Sequence, residues 1–300
     1  MALGRPSTFS ICALDAHTGE VGVAVQSKYF AVGSVVPWAR AGVGAAATQA
    51  AGIAGYGPQL LDLLAAGTAP DEAIRAVLAD DDARDSRQLG IVAADGCSAS
   101  WTGIDCNEWA GHETGLGVAA QGNILAGEAV VSELVRAFRE EPGTLAERLV
   151  AALEAGQAAG GDVRGQQSAA VYVERPGAGE ETGELLDRVV DLRVDDHEEP
   201  IVELRRLLEI HLRWDYLKRA YGRRAAGHVE EGVAILADGL ERYPDDATIL
   251  YDLACYESLA GRLDDALVHL RRSLELDGSL RPLAGSDTDL DPLRERGDPI

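Results

Sequence analysis

Four places in the 300-residue chain set polar side chains at the edge of a Gly- or Ala-rich apolar run. They are Thr8-Phe-Ser10, Gln26-Ser-Lys28, Gln121-Gly-Asn123 and Gly160-Gly-Asp-Val-Arg-Gly-Gln-Gln-Ser168. A hydroxyl nucleophile needs a base beside it and donors for the oxyanion it creates. Thr8 offers the hydroxyl. Lys28 offers a positive field that lowers the pKa of a neighbouring amine, and Asn123 offers an amide donor. Asp162 can orient the group that moves the proton. Ser10, Gln26, Gln121, Arg164, Gln167 and Ser168 stand next to these four and would line the substrate. Each has an ordinary alternative as well. Thr8 is also a good β-branched strand residue, Lys28 a solvated strand end, and Gln-Gly-Asn and Gly-Gly-Asp are good turn chemistry. No G-x-S-x-G elbow is present, so a Ser-His-Asp hydrolase has no support.

These residues need strands to carry them. Residues 8–14 and 21–26 read as two strands joined by a turn over Asp15–Glu20. Val43–Thr48 reads as a third, Gly117–Gln121 as another, and 88–102 as a hairpin turning at Asp95-Gly96. Helices are expected at 59–66, 71–79, 128–140 and 145–155. Strands return at 168–174 and 189–194, with an exposed loop at 176–183. Runs of strands separated by helix pairs predict a layered α+β sandwich rather than a βαβ sheet. No Walker loop and no G-x-G-x-x-G at a strand-to-helix junction supports nucleotide binding.

Charge narrows the partners. Lys and Arg number 27 against 50 Asp and Glu, a net charge of −23. Residues 1–200 hold 13 basic and 30 acidic side chains, and Lys28 is the one lysine among them. Such acidity disfavours nucleic acid and anionic membrane. Cys12, Cys97, Cys106 and Cys255 match no zinc spacing, and the six histidines are scattered. The expectation is a cytoplasmic protein with reduced thiols and no metal site. Asp80-Asp-Asp82 and Asp195-Asp-His-Glu-Glu199 read as solvated charge runs.

The C-terminal third repeats itself. An offset of 34 residues matches Ala220 with Ala254, Gly227 with Gly261, Leu236 with Leu270 and Leu240 with Leu274. Small residues also match, Gly232 with Ala266 and Gly239 with Ser273, as expected where helices cross closely. A 34-residue helix–turn–helix period resembles the tetratricopeptide repeat. The expected organisation is a leader over 1–7, a sandwich over 8–212, helical repeats over 213–284 and a loosely ordered tail over 285–300.

The blocks Thr8-Phe-Ser-Ile, Gly22-Val-Ala-Val-Gln-Ser-Lys-Tyr-Phe-Ala-Val-Gly33, Val36-Pro-Trp-Ala-Arg-Ala-Gly-Val-Gly-Ala45, Gln121-Gly-Asn-Ile-Leu-Ala-Gly127 and Gly160–Ala169 resemble those of one bacterial family. It is catalogued as domain of unknown function 1028 and is related to the N-terminal nucleophile (Ntn) hydrolases. The likeness spans about residues 8–212. It implies a four-layer αββα Ntn-hydrolase-like sandwich, followed here by an all-α helical-repeat tail. It also implies that Thr8 is the nucleophile and that its own α-amine is the base. Gly22–Gly33 further resembles the second strand of proteasome β-type subunits, with Gln26 where those carry a catalytic Asp. The same comparison sets Arg40 near their catalytic Lys, and Asp162 and Ser168 near polar residues entering their last strands.

Family sequences often begin Met-Thr, whereas Met1–Ser7 precede Thr8 here. A misassigned start, cleavage of the Ser7–Thr8 bond, or a protein that is not an N-terminal nucleophile enzyme would each account for this. The leading expectation is an amidohydrolase that cleaves a small amide or short peptide through an acyl-enzyme on Thr8, without a cofactor. The competing one is a non-catalytic scaffold that recruits a protein partner through its repeats. A homo-oligomer is expected on either reading.

Overall fold

The computed structural model describes residues 8–298 and divides into two compact units. The first takes in the chain up to Ala178 and Leu186–Leu208; the second takes in Gly179–Leu185 and the chain from Glu209 on.

The first unit begins with β1 (Thr8–Asp15) and β2 (Glu20–Ser27), then β3 (Pro37–Arg40) and β4 (Gly44–Ala50). Helices α1 (Tyr56–Ala65) and α2 (Pro70–Leu78) follow. Then come β5 (Arg87–Ala93), β6 (Ser98–Thr102), β7 (Gly111–Gly115) and β8 (Val118–Asn123). After α3 (Ala129–Glu140), α4 (Leu145–Ala158) and β9 (Ser168–Glu174), the short α5 (Ala178–Thr182), most of which belongs to the second unit, leads to β10 (Arg188–Val194). Strands β3 and β7 and helix α5 are additions to the sequence expectation. β3 and β7 are half-exposed edge strands without a continuous apolar run, so they carry little signal.

The strands form two antiparallel sheets, one ordered β10-β9-β2-β1-β8-β7 and the other β3-β4-β5-β6. This is a mixed α/β architecture with the sheets face to face. Val21, Val23, Val25 and Cys12 of the first meet Ala45, Ala47 and Val92 of the second. Small alanines on β4 let the sheets approach closely. On the outer face of the second sheet, Leu60 and Leu61 of α1 and Ala73, Ile74 and Leu78 of α2 bury against Ala46, Leu89 and Ile91. α3 and α4 cover the outer face of the first sheet. Pro70 starts α2 at its first turn. A capping box between Thr144 and Glu147 starts α4.

The second unit is helical. It holds the C-terminal part of α6 (Pro200–Ala225), then α7 (Val229–Arg242), α8 (Ala247–Leu259) and α9 (Leu263–Leu276). Gly227 and Gly261, 34 residues apart, both follow a helix with φ near +80°, where any other residue would be strained. At Gly232 an added Cβ would strike the Tyr256 ring at 2.5 Å, which explains the small residue there. Leu236, Ile249, Ala254 and Leu270 form the shared core.

Two boundaries differ from expectation. α6 runs without a break through residue 212, and the units part between Leu208 and Glu209. Its pattern Leu204, Leu208, Leu212 continues smoothly into Leu217 and Ala220, all buried, so nothing ends the helix earlier. The segment expected to be loosely ordered instead folds: α10 (Arg281–Ser286) and α11 (Asp291–Arg296) flank a 3-10 turn. Leu290 and Leu293 are fully buried in the helical core, three residues apart on one face. The leader, residues 1–7, lies outside the described residues. Among those described, no helix is long and apolar enough to cross a membrane.

Candidate functional site

Thr8 opens β1, a central strand of the larger sheet. It lies opposite Ser27 at the end of β2 and Asn123 at the end of β8. Residues directly opposite across a ladder point to the same face. All three side chains therefore face the second sheet, as Ser10 and Cys12 do one and two pleats further on. Thr8 Oγ1 lies 3.1 Å from Ser27 Oγ, and both residues are buried. Strand pairing thus brings together a hydroxyl pair and an amide from sequence positions far apart.

Behind them runs a network of neutral polar groups between the sheets. Gln121 Nε2 donates to Ser10 Oγ at 2.6 Å, and Ser10 donates onward to Gln49 Oε1 at 2.7 Å. Gln49 Nε2 donates to Gln88 Oε1 at 2.8 Å and to the Thr8 carbonyl at 3.3 Å. Gln88 Oε1 also accepts from Asn123 Nδ2 at 3.0 Å, while its own amide donates to Thr102 Oγ1 at 3.0 Å and to the Gly122 carbonyl at 2.8 Å. Thr102 meets His112 Nδ1 at 2.9 Å, and burial lowers the pKa of that imidazole. Satisfied throughout, such a network fixes the geometry of what it touches. Gly90 makes room for it: a Cβ there would lie 1.9 Å from Gln121 Oε1. Burial also pushes the Cys12 thiol well up, so it stays protonated.

Gln49 and Gln88 were not among the residues singled out in the sequence. Both sit inside strands without a motif. The signal available was an amide in a run expected to be buried, which must find a partner.

Asp162 forms the second cluster. Its carboxylate accepts the Lys28 backbone N–H at 3.0 Å, the Arg164 N–H at 2.8 Å and the Arg164 guanidinium at 3.0 and 3.2 Å. Its main chain also forms a β-bridge with Leu125, so Asp162 ties the end of β2 through its buried side chain and the exit of β8 through its backbone. Lys28 reaches this cluster through its main chain. Its Nζ turns outward to the Gln166 carbonyl at 3.0 Å. Ser168 pairs with Ser27, donates to the Tyr29 carbonyl at 2.5 Å and accepts from the Val32 N–H at 3.1 Å. It thereby fixes the segment leaving β2.

Three expected residues stand apart. Gln26 lies opposite Phe9 and Ala169, on the face turned away from Thr8 and toward α4. The period of two along β2 dictates this, since Val23 and Val25 fill the inter-sheet face. Neither end of its buried amide has a partner. Arg40 ends the edge strand β3 in an exposed pair with Asp62 at 2.9 Å. Gln167 donates to Asp196 at 3.0 Å on the rim of an open depression shared with Lys28 and His197.

Backbone strain gathers around the site. Ala31, Ala50 and Ile124 have φ of 53°, 64° and 55°, and they follow the β2 exit, Gln49 and Asn123. Non-glycine residues in this region cost energy and tend to cluster where function requires them. Next to Gln49 lies a cavity of about 240 Å³, lined by Val32, Val36, Thr48, Ala51 and Ala54 among others.

Among the described residues, one group in the helical unit has the spacing of a metal site: Cys255, Asp287 and Asp289. The Arg224 guanidinium already holds both Asp289 oxygens, and Tyr251 donates to Asp287 at 3.0 Å. These contacts satisfy the carboxylates without an ion.

The comparisons with known proteins agree with the sequence blocks. A family model described as "Family of unknown function (DUF1028)" matches residues 8–204. No curated protein matches the chain. The crystal structure of protein SPO2555 from Silicibacter pomeroyi, also described as DUF1028, is 32% identical with a TM-score of 0.61. The match covers 68% of this chain and 88% of that one. With the match starting at Thr8 and taking in β1 to β10, the chain belongs to the DUF1028 family.

Proposed function

We propose that the protein is an Ntn-type amidohydrolase that cleaves a small amide or short peptide through an acyl-enzyme on Thr8. The observation that carries this reading is the position of Thr8. It is the first residue of a central strand and of the family match, its hydroxyl is paired with Ser27, and Asn123 sits opposite. Once the bond before Thr8 is broken, its α-amine becomes a base fixed on the same residue as the nucleophile.

In the reaction, Thr8 Oγ1 attacks the substrate carbonyl carbon while its proton passes to the α-amine. The oxyanion accepts a hydrogen bond from the Asn123 amide, which Gln88 holds in place. The C–N bond then breaks, and the leaving amine takes the proton. Water attacks the remaining ester, releases the acid and restores the Thr8 hydroxyl. Asp162 and Lys28 act as support, holding the ends of β2 and β8 in register. The helical repeats resemble tetratricopeptide units and form the C-terminal arm on this reading.

Incubation with a panel of fluorogenic acyl amides, followed by intact mass, tests it. A transient adduct that maps to Thr8 and disappears in Thr8→Ala is expected. A stable, unreacted chain in a form that begins at Thr8 would leave the scaffold reading in its place.

A further inference from the structure

We infer that the cavity beside Gln49 is an acyl pocket that takes a short, uncharged aliphatic chain. As an acyl pocket it rests on the proposed chemistry at Thr8, but its ligand class follows from its own walls. One wall is Val32, Val35 and Val36 after β2, and the other is Ala50 at the end of β4 with Ala51 and Ala54 beyond it. No charged side chain lines it, so an acyl group ending in a carboxylate or ammonium would be buried unpaired.

Gln49 contributes to the lining and donates to the Thr8 carbonyl at 3.3 Å, so one side chain links the cavity to the nucleophile's main chain. Exposed Tyr29 and Gly52 also line the cavity, so it opens to solvent. The walls are tied together, since the Thr48 N–H donates to the Val36 carbonyl at 3.2 Å and Thr48 Oγ1 to the Ile53 carbonyl at 3.2 Å. Ala50 at φ 64° turns the chain so that Ala51 and Ala54 face inward. The volume of about 240 Å³ is about eight times the share of one water in the liquid, ~30 Å³. That suits a chain of a few carbons.

Titration calorimetry of the full chain with butanamide, hexanamide and 6-ammoniohexanamide tests the pocket without turnover. Affinity should rise about fourfold per added CH₂, and the ammonium analogue should not bind. Ala51→Phe should abolish hexanamide binding, whereas Thr8→Ala should keep it. The chain-length series on the unmodified protein decides the matter if Ala51→Phe does not fold. Plug-sensitive binding with no turnover even in a form that begins at Thr8 would uphold the pocket and sink the catalytic reading. Turnover indifferent to chain length and to Ala51→Phe, or no saturable binding of any amide, would overturn the pocket.

Discussion

The sandwich and the helical unit bury polar groups in opposite ways. Between the two sheets the buried groups are neutral amides and hydroxyls: Ser10, Gln49, Gln88, Gln121 and Asn123. Gln121 donates to Ser10 and Ser10 to Gln49, while Gln49 and Asn123 both donate to Gln88. In the helical core they are ionisable. Cys255, Tyr251, Asp252 and Asp287 crowd together beside Asp289, with Arg224 as the balancing cation. Neutral networks hold geometry at any pH, whereas crowded carboxylates make stability depend on protons. The candidate site around Thr8 lies beside the neutral network.

The largest effect expected is on chemistry. Thr8→Ala should lower amide turnover by about 10⁴-fold or more in steady-state assays. The same change should cost only about 1 kcal/mol in urea denaturation, since one hydrogen bond to Ser27 is lost. A comparable loss in both readouts would make Thr8 a structural residue.

Next is the pH test of the comparison. Burial, then the Asp287 charge, raises the Asp252 carboxyl to about 6. A raised folded pKa means the native state binds more protons than the unfolded chain between about pH 4 and 6. Stability should therefore fall as pH rises through that window, by roughly 3 kcal/mol. Asp252→Asn should remove this slope and stabilise the helical unit at neutral pH, as read by chemical denaturation at a series of pH values. Within the sandwich, Gln88→Leu leaves the amides of Gln49 and Asn123 without their shared acceptor. It should cost about 2 kcal/mol, equally at pH 5 and pH 8. A pH-dependent loss there would blur the distinction between the units. Arg40→Ala, which removes an exposed ion pair, should change stability by no more than about 0.5 kcal/mol.

Much of this was legible in the sequence. Alternation of apolar residues located β1, β2, β9 and β10, and the motif blocks pointed to Thr8, Asn123 and Asp162. Three things were not. Gln26 was expected to line the substrate, but a shift of one residue along a strand reverses the face. Gln49 and Gln88 gain their meaning only when two sheets stack, which no local pattern encodes. Lys28 lies where expected, yet it contributes its backbone N–H rather than its ammonium, and side-chain direction is set by the neighbouring loop. The period of 34 residues located the helical unit, while buried Leu290 and Leu293 extended it beyond the last repeat.

The central claim is that the reactive form presents Thr8 with a free α-amine. N-terminal sequencing and intact mass of the form that turns over amide test it directly. The account predicts that this form begins at Thr8. Undiminished turnover by a form that still begins at Met1 or Ala2 would contradict it.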